Sequence, residues 1–150
     1  MVWVKLKSSS LTIYFQISEY KKANNWEDWV IVNLRIIGNG INIKYGLNSL
    51  FANEVDEISD EIEKLLTKDH YFNEYIPLEE DFVFTFNGKK DKCLQIKYYL
   101  DDQERNFLLI NLRGKDLNYL RTYLLLITKK ISTENPVVIE YLNNGIFQGT

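Results

Sequence analysis

A chain of 150 residues and 17.8 kDa, 45% hydrophobic, 26% charged and carrying a formal charge of −3, has the make-up of one globular domain. At this size folding buries roughly two thirds of the surface that the unfolded chain exposes. Two prolines and seven glycines exclude a collagenous or linker-rich chain, a single cysteine excludes an internal disulfide framework, and one cysteine with one histidine cannot supply a Cys/His zinc site.

The opening Met1-Val2-Trp3-Val4-Lys5-Leu6-Lys7 lacks the apolar run of a signal peptide, and the apolar stretch from Tyr123 to Thr128 is far shorter than the roughly 20 residues that span a bilayer. The expectation is a cytoplasmic, soluble protein with a reduced thiol, no membrane partner, no cofactor and no metal. Val2 to Lys7 alternates as an edge strand would. Leu11, Ile13, Phe15 and Ile17 alternate with polar neighbours and predict a strand with one wet face. Trp29 to Ile37 is dense in Val, Ile and Leu and reads as a central strand, apolar on both sides. Gly38-Asn39-Gly40 then turns the chain into a returning strand through Ile41, Ile43 and Tyr45.

The period changes at Val55, Ile58, Ile62, Leu65 and Leu66, predicting a helix from about Glu54 to Thr67 capped by Asn53. An aromatic loop around Tyr71, Phe72 and Tyr75 follows. Phe82 to Phe86, Leu94 to Leu100 and Asn106 to Leu112 return to period two and predict a three-stranded meander. Leu117, Leu120, Leu124, Ile127 and Ile131 predict a long helix over Lys115–Ile131, with Lys129-Lys130 at its negative end. Asn135-Pro136, Val137 to Leu142 and Asn144-Gly145 read as a short third helix, with a strand as the alternative. The fold class is α+β: a mainly antiparallel sheet of about six or seven strands with two long amphipathic helices and a short C-terminal element.

Candidate chemistry is sparse. Cys93 and His70 lack a recognisable third group to orient them as nucleophile and base. Asp81 with Gln95-Ile96-Lys97 resembles the acid and lysine of restriction-type, metal-dependent nucleases, where a carboxylate holds the cation and the lysine stabilises charge. Glutamine replaces the second carboxylate there, period-two strands generate such spacing by chance, and a net negative chain offers no basic footprint, so nucleic acid is not expected as a partner. The aromatic residues read as core, without interleaved basic residues.

Charge is the most informative pattern. Between Glu54 and Asp81 eleven acidic residues face two basic ones, a net of −9 in a chain of −3, so the remainder carries +6. Asp56, Glu57, Asp60 and Glu63 fall off the apolar stripe of the first helix, and Glu79, Glu80 and Asp81 follow in a loop. Such a face attracts a basic partner, although solvation alone also calls for a charged outer face.

Three stretches in order, Ala23-Asn24-Asn25-Trp26-Glu27-Asp28-Trp29-Val30-Ile31-Val32, Leu50 to Leu66 with Glu54 and Leu65, and Glu79-Glu80-Asp81-Phe82-Val83-Phe84, resemble the WapI-like immunity proteins. In the third stretch Glu80 stands where that family has proline and Val83 where it has serine. The resemblance implies a non-catalytic protein that binds and neutralises a cognate toxin with a basic face, using Asp56, Glu57, Asp60, Glu63, Glu79, Glu80 and Asp81. The alternatives are the nuclease built on Asp81 and Lys97, or a structural or assembly subunit.

Overall fold

The first half of the chain folds into strands wherever apolar and polar residues alternate. Val2–Ser8 (β1), Leu11–Ser18 (β2), Trp29–Gly38 (β3) and Ile41–Phe51 (β4) pair antiparallel in succession. The computed structural model describes residues 2–21, 28–101, 103 and 106–149, so Ala23 to Glu27 of the first resemblance stretch lie outside the described residues. Asn39-Gly40 closes the β3–β4 hairpin with φ of 51° and 75°, the left-handed values of a type I′ turn. At Gly38 a Cβ would stand 2.4 Å from the Ser10 carbonyl oxygen, which only glycine avoids.

Helix α1 (Ala52–Thr67) leads to Phe72–Tyr75 (β5), Phe82–Asn87 (β6), Cys93–Tyr99 (β7) and Phe107–Arg113 (β8). Helices α2 (Gly114–Ile127) and α3 (Pro136–Asn143) follow, and Phe147–Gly149 (β9) ends the described chain. The strands form two antiparallel sheets, β4-β3-β2-β1-β9 and β5-β6-β7-β8. The class is α+β, with nine strands and three helices among the described residues rather than one sheet of six or seven strands.

Several expectations are corrected. Asn53 does not cap α1: the helix begins two residues earlier than expected, at Ala52, whose N–H is taken by the Asp28 carbonyl at 2.8 Å, while Asn53 Oδ1 is buried without a partner. The aromatic loop contains β5, whose register Phe72↔Asn87 to Tyr75↔Phe84 extends the meander by one strand. Strand β1 is not an edge along its whole length, because β9 covers Val2 to Val4. Helix α2 stops at Ile127, where Thr128 Oγ1 donates to the Leu124 carbonyl and Lys129 turns left-handed at φ 60°, so Lys129-Lys130 lies beyond the helix. The strand from Trp29 is apolar on one face only, since Asn33 and Arg35 occupy the other. The third helix is borne out, with Asn135 Oδ1 accepting from Val137 N–H ahead of Pro136.

One core joins these layers. Leu6, Ile13, Leu34 and Leu50 of the first sheet, Phe82, Phe84 and Ile110 of the second, Val55 and Ile58 of α1, and Leu120 and Leu124 of α2 surround the same apolar void of about 30 Å³. A void of that volume, lined only by apolar groups, has the size of a single water and no polar partner for one.

Tyr123, fully buried on α2, inserts its hydroxyl into the first sheet. The β1–β2 ladder ends at Val4↔Phe15, and two residues beyond it on each strand the phenol accepts from Ile17 N–H at 2.9 Å and donates to the Val2 carbonyl at 2.7 Å. Burial pushes this phenol well above the usual tyrosine range, so it stays protonated and able to donate.

Replacing Leu124 with Ala is expected to cost roughly 2 to 5 kcal/mol by leaving a cavity. Tyr123→Phe is expected to cost about 1 to 3 kcal/mol by orphaning a buried N–H and carbonyl. Urea unfolding of the two variants measures both, and midpoints equal to the parent's would contradict the α2 placement.

Candidate functional site

The acidic residues of α1 and those of the β5–β6 loop, separate in sequence, lie on one surface because of Glu54. This side chain is only 6% exposed at the third position of α1. One carboxylate oxygen accepts from Phe51 N–H at 2.9 Å, satisfying an unpaired donor at the helix start. The other accepts from Leu78 N–H at 2.9 Å and pins the loop to the helix. The positive end of the helix dipole favours a carboxylate there.

Tyrosines hold the next acids in place. Tyr20 donates to both Asp56 oxygens at 2.9 and 3.0 Å, Tyr75 donates to Glu57, and Tyr71 donates to Glu61. Burial, reinforced by the neighbouring carboxylate, pushes the Tyr20 and Tyr71 phenols up to about 12 and raises Tyr75 further. Glu63 pairs with Arg121 of α2, and Asp60 reaches Lys130 at 3.3 Å. Lys92 closes the far end of α1 by donating to the Leu66 carbonyl at 2.7 Å.

All four acids singled out on α1 therefore have partners within the chain. Asp56 and Glu63 are half-buried and structural, whereas Glu57 and Asp60 are exposed. Glu79 and Glu80 are exposed and form no ion pair among the described residues, and Asp81 is half-buried at the start of β6. Glu80 has φ 53°, which proline cannot adopt, so its presence at this position is built into the path of the loop. Sequence reasoning missed Ile76 and Leu78, which are 50% and 65% exposed amid these acids. They break the alternation pattern and flank the buried Pro77, whose place in the loop is the one local signal at these positions.

The other candidates are not assembled. Lys97 pairs with Val83 in the ladder, and its ammonium lies 4.4 Å from the Phe107 ring centre and 5.6 Å from that of Tyr99. Gln95 donates to Asn111 Oδ1 at 3.1 Å. Among the described residues no group of three or more His, Cys, Asp or Glu is placed to hold a metal ion. Cys93 is buried with its sulfur 3.9 Å from Asn111 Oδ1, while His70 sits exposed in the turn after α1. No described helix is long and apolar enough to cross a membrane.

Comparison with protein-family models, curated proteins and solved structures gave no match.

The tyrosine pairs make an alkaline prediction. Their folded-state pKa values lie above the unfolded value of about 10, so their contribution to stability is complete below pH ~10 and is lost as pH rises toward ~12. Tyrosinate absorbance in the native protein is expected to lag behind that in denaturant, and Tyr71→Phe and Tyr20→Phe are each expected to shrink the lag. Coincident native and denatured curves would contradict the pairing.

Proposed function

We propose that this chain is a non-catalytic immunity-type protein that binds and neutralises a cognate toxin domain in the cytoplasm. The observation that carries this reading is the surface gathered by Glu54, where Leu78 and Ile76 stand exposed on the loop that carries Glu79 and Glu80, next to the Tyr75–Glu57 pair. An apolar anchor with a charged rim is the anatomy of a protein interface, in which the centre sets residence time and the rim sets encounter rate. The fitting partner has a basic face around an apolar pocket. The resemblance of Leu50 to Leu66 and of Glu79 to Phe84 to the WapI-like immunity proteins supports the same reading, and Glu54, within the second stretch, is the side chain that builds the surface.

The test partner is the toxin domain that this reading expects to be encoded beside this chain's gene. Leu78→Ala is expected to weaken binding about tenfold, or ~1.4 kcal/mol, mainly through faster dissociation. The double variant Glu79→Lys/Glu80→Lys is expected to slow association at low salt, with the difference fading once screening acts over about 8 to 10 Å. Both sets leave the tyrosine pairs intact, so stability serves as the control. Full protection of toxin-expressing cells by the triple variant would move the docking surface elsewhere.

A further inference from the structure

The outer face of the five-stranded sheet carries a pattern that no linear reading reveals. Register aligns Lys5 with Tyr14, Tyr14 with Arg35, and Arg35 with Lys44, a single row across β1, β2, β3 and β4. At about 4.8 Å per strand the row is roughly 14 Å long. None of the five strands contains an Asp or Glu. Among the described residues Lys5, Arg35 and Lys44 form no ion pair, and Arg35 Nε is buried without an acceptor.

Like charges directly opposite one another destabilise a sheet, so the Arg35–Lys44 pair is a local cost that nothing within the described chain relieves. An anion on this face would relieve it. Tyr14, Arg35 and Lys44 of the row line an open groove of about 630 Å³ together with Trp3 and Asn33, and Lys5 lies just beyond it at the end of the row. Its floor is kept low by Gly46, where a Cβ would stand 2.9 Å from Asn33 Oδ1. Glycine inside a strand often marks such a close approach.

We propose that this face binds single-stranded nucleic acid, with phosphates along Lys5, Arg35 and Lys44 and bases against Trp3 and Tyr14. Cations interleaved with aromatic rings in an open groove are what single strands need, because every base has a face to stack and every phosphate a charge to neutralise. An acidic peptide would use the cations but leave the rings idle. The expectation of no nucleic-acid partner followed from net charge, which averages this acid-free sheet with the acids of α1, and from the lack of basic residues interleaved with aromatics along the sequence, an interleaving that here arises only across strands.

The test is fluorescence anisotropy of labelled oligo-uridine and oligo-deoxythymidine octamers titrated with the full chain. Three phosphate contacts predict a slope of about −2 in log affinity against log salt. Arg35→Gln and Lys44→Gln are each expected to flatten that slope by about 0.7. Lys44→Gln is expected to raise the melting midpoint, because it removes the cross-strand repulsion, and Lys90→Gln on the other sheet is expected to change nothing. Trp3→Leu is expected to weaken binding without altering the salt slope, which separates stacking from charge. Absence of binding at the lowest salt overturns the proposal, as does an unchanged affinity in both Arg35→Gln and Lys44→Gln. Competition by polyglutamate equal to that by the oligonucleotides reassigns the face to an acidic protein, and competition by a free nucleotide equal to that by the strand reassigns it to a small ligand; either result overturns it.

Discussion

The carboxylate of Glu54 is the interaction on which the arrangement of the acidic surface depends. It accepts one N–H from the end of the first sheet and one from the β5–β6 loop of the second. Two sheets that share no strand pairing are thus tied through one buried side chain at a helix start, where unpaired donors and the dipole both favour a negative charge. Removing it would take the acceptor from the half-buried Leu78 N–H and release the loop from the helix. A second seam lies at the other end of the sheets, where Ser8 Oγ accepts from Asn111 N–H at 2.9 Å and Asp116 accepts from Lys7 N–H at 2.9 Å. Because β9 reaches only as far as Val4, those β1 residues are left open to β8 and α2.

Much of the fold was legible because its determinants are local. The Asn39-Gly40 turn, the Asn135-Pro136 start of α3 and the leucine stripe of α2 all act within a few residues, and each stands where the pattern placed it. What was not legible depends on partners distant in sequence. Strand β5 is four residues long and exposes Phe72 while half-burying Asn73, so it has no apolar alternation to read. Strand β9 has three residues and one buried side chain, Phe147. The division into two sheets escaped for a deeper reason: a period of two tells which face of a strand is buried, not which strand lies beside it.

The candidate surface divides in the same way. The concentration of acids between Glu54 and Asp81 is visible in the sequence, and the helical period places Glu57 and Asp60 outward as they are. Invisible were Tyr20, thirty-six positions from Asp56, and Arg121, fifty-eight from Glu63, whose hydrogen bonds turn an acidic stripe into a partly structural one. The two exposed apolar residues of the loop were unreadable because an isolated Ile or Leu near proline carries no period.

Charge therefore has to be counted after the chain has used what it needs. Asp56, Glu61 and Glu63 spend much of their hydrogen-bonding capacity on Tyr20, Tyr71 and Arg121, and the carboxylate of Glu54 is wholly enclosed. Glu57 and Asp60 stay exposed but are engaged by Tyr75 and Lys130, so the exposed acids of this surface without an ion pair or tyrosine partner among the described residues come down to Glu79 and Glu80, a smaller feature than the net of −9 suggests. On the first sheet the reverse holds: its strands contain no acid, and among the described residues Lys5, Arg35 and Lys44 form no ion pair. A chain of net charge −3 thus displays a compact acidic surface and an acid-free cationic one, and the sign of its total charge describes neither.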